Sequence, residues 1–261
     1  MVGSNGALSG VGDMSKKFKF VMVGVSLAAT LALTCFYKFG RSVWVPLYLD
    51  LKGRRTVDDV MRNIGPVVEP GLQDAFARAG VTYPPQRITL LAFKEEKRLE
   101  LWAEQDGVQV LVSAYPIQAA SGVAGPKLRE GDRQVPEGFY RIEGFNPNSS
   151  FHLSMKLNYP SPFDLKHAQA EGRTSPGGDI FIHGKASSVG CLAMGDPAVE
   201  DLFILANRVG VTNIDVIIAP HDFRMRAPEA TPQSAPAWLP ELYQDIEQSL
   251  RPFAVSDVKS S

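Results

Sequence analysis

The chain has 261 residues and a formal net charge of −1, enough length for one sizeable domain plus accessory segments. With 27 basic against 28 acidic residues it lacks the electrostatic footprint of a nucleic-acid binder, so no nucleic-acid partner is expected. An apolar content of 44% is that of an ordinary globular protein.

Residues 1–13 are rich in Gly and Ser and read as disordered. Met14 offers an alternative start, after which Lys16, Lys17 and Lys19 form a compact basic cluster. From Phe18 to Tyr37 the chain is apolar except for Lys19, long enough to span a bilayer as a helix. Lysines before such a run favour an N-terminus left in the cytoplasm. The expectation is a cytoplasmic segment 1–17 and a signal-anchor 18–37 crossing the inner membrane once, with the rest in the periplasm. The alternative is a cleaved signal peptide and a periplasmic chain, though no small-x-small site follows the run. A lipoprotein at Cys35 is a weak match, because Leu33-Thr34 precedes it.

Residues 38–86 read as a helical neck. Thr56-Val57-Asp58-Asp59 is a helix start with Val57, Val60, Met61 and Ile64 on one side, and Gly65-Pro66 breaks it. Leu72, Ala75, Phe76 and Ala79 are spaced for a second helix ending at Gly80. Arg54 and Arg55 read as solvated charges, with a substrate role the alternative.

From Arg87 the period changes to that of strands. Residues 87–93, 98–104 and 108–115 form an antiparallel meander, its turns at Glu95-Glu96-Lys97 and Asp106-Gly107. The charge run Lys94 to Arg98 is read as a solvated hairpin tip. Ser121 to Arg133 is a polar, Gly-rich loop. Strands follow over 139–145 and 151–157, joined at Asn146-Pro147-Asn148. His152 then falls on a strand surface. Residues 158–178, with three prolines, read as a long functional loop with His167 exposed in it. Asp196-Pro197 opens a helix that ends at Gly210, and 214–219 is a final buried strand. Beyond it lie a Pro/Ala-rich linker and a helix over 239–250, together 223–261, docking on its own domain.

The chemistry concentrates in Asp179 to Asp196, DIFIHGKASSVGCLAMGD. A short strand delivers His183 to a loop bounded by Gly184 and Gly190, and the loop ends in Cys191. Either residue alone reads more simply as structural. Together, and bracketed by glycines that permit positive φ and close approach of a substrate, they read as a thiol and its base. Cys35 is the other cysteine, so in an exported chain Cys191 stands out as a free reactive thiol. No metal-ligand spacing is found, and no metal site is expected.

His183-Gly184 followed by Ser188-Val189-Gly190-Cys191 resembles the active-site signature of the YkuD-type L,D-transpeptidases, most closely their YafK-like branch. The commoner family pattern is a His, a longer variable stretch, then Ser/Thr-His-Gly-Cys. Here the stretch is shorter and Val189 stands where the second His would be. The resemblance extends upstream through Val135-Pro136-Glu137-Gly138-Phe139-Tyr140, Phe145-Asn146-Pro147-Asn148-Ser149, Leu157-Asn158-Tyr159-Pro160 and Gly177-Gly178-Asp179, covering roughly 87–220. It implies a mainly β fold with flanking helices (α+β), a YkuD-like β-sandwich catalytic domain over 87–222.

The residue types then fall into roles. Cys191 is the nucleophile and His183 the base. Backbone N–H groups of Cys191 with Gly190 or Val189 serve the oxyanion, with Ser188 and Gly184 in support. A backbone carbonyl, or a hydroxyl such as Ser187 or Ser188, orients the imidazole. The resemblance implies peptidoglycan stem peptides as substrate, acylated at the L-centre of diaminopimelate, with transfer to an amine or to water and no cofactor. A peptidoglycan-linked protein is a further candidate substrate. Tyr140, Asn158, Tyr159, Arg173 and Gly178 look like substrate-binding wall residues, Arg173 for a stem carboxylate, with cross-strand packing the equal alternative for Tyr140 and Tyr159. Two other classes fit less well. A sortase-like enzyme needs an Arg beyond the Cys, where Arg208 and Arg224 are poorly placed. A non-catalytic peptidoglycan-binding module has no need of a thiolate.

Overall fold

The computed structural model describes residues 11–229 and 234–253. Most of the Gly/Ser-rich start, part of the Pro/Ala-rich linker and the last eight residues lie outside the described residues. The chain divides into two compact units, Met1–Gly53 and Arg54–Ser261. The first consists of α1 (Val11–Phe39) and α2 (Arg41–Lys52). Within α1, Phe18–Phe39 is 22 residues long with mean hydropathy 2.0, enough by length and composition to cross a membrane.

The second unit is a mixed sheet with helices on its faces. Its strands are β1 (Ile88–Phe93), β2 (Arg98–Gln105), β3 (Val108–Pro116), β4 (Ala119–Ala120), β5 (Gly138–Asn146), β6 (Ser154–Leu157), β7 (Phe181–His183), β8 (Leu192–Ala193) and β9 (Ile214–Ala219). They lie in the order β3-β2-β1-β9-β5-β6-β7-β8-β4. β5 links two halves: Gly138 to Arg141 pair with β9, and Ile142 to Asn146 pair with β6. The helices are α3 (Val57–Asn63), α4 (Gly65–Arg78), α5 (Pro162–Ala170), α6 (Asp196–Val209) and α7 (Leu239–Leu250).

Strands β1 and β9 pair in parallel at the centre, and every residue of β1 is buried. Their unbroken apolar sequences follow from burial on both faces. On one face Leu90, Ala92 and Val216 pack with Val60, Leu72 and Phe76 from α3 and α4 and with Leu202, Phe203 and Leu205 from α6. On the other, Leu91, Phe93, Trp102 and Ile217 meet Leu239, Leu242, Tyr243, Ile246 and Leu250, which share one side of α7. Residues 57–78, read from sequence as part of a neck, thus contribute to the core of the second unit. Arg55 is tied down rather than solvated: its amide donates to Asn148 Oδ1 at 2.8 Å and its guanidinium to the Pro147 carbonyl.

Four further expectations are corrected. The stretch 158–178 contains α5, opened by a capping box in which Ser161 Oγ accepts the Asp164 amide and Asp164 accepts the Ser161 amide. His167 sits on α5 with its ring stacked 4.7 Å from Trp238. His152 lies in a turn at φ 81°, its Nε2 2.6 Å from Glu200, because the strand begins only at Ser154. Lys94, read as part of a solvated tip, is buried. Its Nζ donates to Glu137 Oε1 (2.8 Å) and to the carbonyls of Val123, Gly125 and Val135. Tyr243 of α7 donates to the other Glu137 oxygen at 2.7 Å.

This pair braces the 121–137 loop, and its counter-charge is not replaceable by water. Glu137→Gln keeps the shape and most hydrogen bonds but removes the charge. Breaking a buried pair from one side costs about 3 kcal/mol or more. That predicts a fall in Tm of roughly 6–12 °C for a unit of this size. An unchanged melt would show that Lys94 is held by the carbonyls alone.

Candidate active site

His183 ends β7 and pairs in parallel register with Ala193 of β8. Extending that register by one residue puts Cys191 beside Phe181. Residues two apart on a strand share a face, so Cys191 and His183 project to the same side. Strand rise and spacing put their Cα atoms about 8 Å apart.

The imidazole is fixed from behind. Its Nδ1 lies 2.6 Å from the Gly184 carbonyl oxygen. A carbonyl can only accept, so Nδ1 carries the proton and Nε2 is the basic nitrogen. The Phe151 ring lies against the imidazole, tilted by 35° at a centroid distance of 4.6 Å. Gly184 is required by space: a Cβ there would lie 2.6 Å from the Phe151 carbonyl and 2.7 Å from Asp196 Oδ1. Asp196 also holds Lys185, by its amide and by its ammonium. Burial pushes the His183 pKa below its ordinary value of 6.5, and the Gly184 bond opposes this in part.

Cys191 is half-buried, its Sγ 3.7 Å from the Asp179 carbonyl. Burial raises the thiol above its ordinary value, against a backbone hydrogen bond from Phe181 that lowers it. Asp179 adds to the rise and Lys127 subtracts from it. Both shifts favour the neutral forms, thiol and imidazole, over an ion pair.

The turn before the nucleophile is held by serines. Ser188 Oγ accepts the Cys191 amide (3.1 Å) and donates to the Cys191 carbonyl (2.6 Å). The Gly190 amide donates to Ser121 Oγ at 2.6 Å. Gly190 has φ 94°, and a Cβ there would come within 3.3 Å of the Gln134 carbonyl. Val189 is exposed beside the thiol.

Two loops build the adjacent wall. Residues 121–135 and 171–178 are joined by the Glu130 amide to the Ser175 carbonyl (3.0 Å) and by Arg173 Nη1 to the Leu128 carbonyl (2.8 Å). Tyr159 lies under both, its hydroxyl 3.0 Å from the Pro176 carbonyl and 3.2 Å from that of Lys127, which share its one proton. Lys127 is itself buried, bound to Asp132 and to the Arg129 carbonyl. Of the expected wall residues, Tyr140 and Tyr159 are buried, with the Tyr140 hydroxyl on the Glu137 carbonyl. Arg173 is engaged by Glu171 and Leu128. Asn158 Oδ1 accepts the Arg141 amide at 2.7 Å, bridging β5 and the end of β6. Gly178 is exposed, one residue before Asp179. Ser121, Lys127 and Gln134 were not found from sequence. They come from a loop without periodicity and meet the Cys turn only through folding. Arg208 binds Glu69, and Arg224 binds Glu100 and Asp222, so both guanidiniums are engaged away from the thiol.

The profile of the L,D-transpeptidase catalytic domain (YkuD) matches residues 87–218, more than half of the chain. The chain belongs to the YkuD family. It is therefore an enzyme of the L,D-transpeptidase family, in keeping with the resemblance read from the sequence. YafK of Escherichia coli strain K12, a protein bearing the name of an L,D-transpeptidase, is 33% identical over 138 residues, which are 51% of this chain and 53% of YafK. The chain spans about half the length of the curated relatives it matches. Among solved structures, the helical cell shape determining protein Pgp2 of Campylobacter jejuni matches with a TM-score of 0.43 and 24% identity, over 54% of this chain and 50% of that one. Bd1075 of Bdellovibrio bacteriovorus matches with a TM-score of 0.39 and 18% identity, over 66% of this chain and 57% of that one.

Proposed function

We propose that this YkuD-family enzyme uses Cys191 to form an acyl-enzyme with peptidoglycan stem peptides at the L-centre carbonyl of diaminopimelate, in cell-wall remodelling in the periplasm. The observation that carries the reading is the shared face of Cys191 and His183, with His183 Nδ1 committed to the Gly184 carbonyl so that Nε2 is the base. The apolar span of α1 supports an inner-membrane anchor, or a signal peptide whose cleavage leaves the chain periplasmic.

Nε2 takes the thiol proton as sulfur attacks the carbonyl carbon, and the carbonyl electron pair becomes the oxyanion. Collapse breaks the C–N bond to the D-residue, and imidazolium returns the proton to the departing amine. In the second half, Nε2 deprotonates water or an incoming amine, which attacks the thioester and expels the thiolate, and the proton passes back to sulfur. A neutral resting pair suits this cycle, because the base is available at neutral pH and charge arises only with substrate in place.

The acceptor is the open choice. Val189 cannot hold or deprotonate an amine as an imidazole could, and the short 184–190 loop leaves little protein to shape an acceptor groove. Hydrolysis is therefore the preferred outcome, releasing a D-amino acid or a linked protein. Stem peptides incubated with enzyme and a large excess of a D-amino acid test this by mass spectrometry. The hydrolysed peptide should dominate; a dominant exchange product would restore L,D-transpeptidation as the main reaction.

A further inference from the structure

The amides expected to meet an oxyanion, those of Gly190 and Cys191, end on hydroxyl oxygens in the resting site: Ser121 Oγ at 2.6 Å and Ser188 Oγ at 3.1 Å. Ser188 has one hydroxyl proton, and its 2.6 Å bond to the Cys191 carbonyl uses it. Its oxygen faces the Cys191 amide and also the Ser121 amide, the latter at 3.4 Å, and the two hydroxyl oxygens lie 3.3 Å apart. Ser121 is thus tied to the turn at both its amide and its hydroxyl.

Ser121 does not belong to the nucleophile loop, and its placement is built. Its carbonyl accepts the Val135 amide at 3.2 Å. Its neighbour Gly122 has φ 94° and no room for a Cβ against the Gln134 side chain. Gln134 in turn bonds Val123 and Gly125, and the buried Lys94 ammonium ties down the same carbonyls from below.

We propose that Ser121 is a positioning residue for acylation: it fixes the 189–190 peptide so that the Gly190 and Cys191 amides converge, and it gives up the Gly190 amide to the oxyanion. The proposal rests on Cys191 forming an acyl-enzyme. A neutral substrate carbonyl has no advantage over a hydroxyl as acceptor. A developing oxyanion does, because charge-assisted bonds are roughly twice as strong as neutral ones. The exchange thus favours the transition state over the ground state, which is the condition for accelerating the step.

Two probes of Cys191 separate this role from general support of the turn. Acylation by 4-nitrophenyl acetate passes through a tetrahedral oxyanion; alkylation by iodoacetamide does not. In the full chain, Ser121→Val should acylate about 10- to 100-fold more slowly, somewhat less than the loss of a whole oxyanion donor. Ser121→Thr, of the same shape but keeping the hydroxyl, should stay within about threefold of wild type by the same reasoning. Alkylation should be equal in all of them. Ser121→Ala, which adds no bulk, is measured in parallel, so that crowding by valine does not decide the result. Unchanged acylation in Ser121→Ala would overturn the proposal, as would acylation and alkylation falling together. A wild type acylated no faster than a free thiol would contradict it too. A wild type acylated at Cys191 but inert on stem peptides would instead refute the substrate reading and leave the test of Ser121 standing.

Discussion

Cys191→Ala abolishes turnover of stem peptides and leaves the fold intact. Every covalent step of the proposed cycle passes through Sγ, and no second thiol lies in the second unit. Loss of a nucleophile that acts with a positioned base costs on the order of 10⁴- to 10⁶-fold in kcat. The fold should hardly notice. The thiol is half-buried, and its contact with the Asp179 carbonyl is long. The backbone bonds that shape the turn belong to Ser188 and Ser121, not to sulfur. Turnover measured beside a thermal melt checks this: a Tm within about 3 °C of wild type corresponds to roughly 1 kcal/mol. Residual activity near wild type would remove Cys191 from the nucleophile role.

His183→Ala lowers turnover by about the same order, since thiol and base act as a unit. It also slows alkylation of Cys191 near neutral pH. Burial raises the thiol's pKa, so without its base little thiolate forms there. The sign of the pH dependence follows from the His183 shift. A pKa depressed below 6.5 keeps the imidazole neutral, hence basic, down to mildly acid pH. Wild-type kcat/KM should therefore hold from neutral pH downward and fall only below 6.5, where Nε2 is protonated. His183→Ala should lose that acid limb. Alkylation unchanged by the substitution would mean that another group controls the sulfur; Lys127 and the Phe181 amide are the groups that lower its pKa in this fold.

Much of this was legible because the signals are local. The strand over 214–219, the helices starting at Asp196 and Leu239, and the loop from His183-Gly184 to Ser188-Val189-Gly190-Cys191 each announce themselves within a dozen residues. What escaped depends on partners distant in sequence. Lys94 looks like the start of a charged hairpin tip until Glu137 folds onto it. Tyr140 and Tyr159 read equally as site wall or as packing until the fold buries their rings and sets their hydroxyls on backbone carbonyls. Helix α5 has no apolar stripe to read: its buried residues are Asp164 and Ala168. Its Ser161-Pro162-x-Asp164 cap was the available signal. Ser121 had none, because the Gly190 amide it accepts lies 69 residues away.

The central claim is a thioester on Cys191. Intact-protein mass spectrometry of enzyme quenched in acid during turnover of a purified stem peptide, followed by peptide mapping, tests it most directly. The account predicts a mass increase equal to the acyl part of the stem peptide, without its terminal D-residue, on the peptide containing Cys191. The adduct should be removed by hydroxylamine and absent from Cys191→Ala. Product formation with no adduct in wild type at any quench time, or an adduct mapped to another residue, would contradict it.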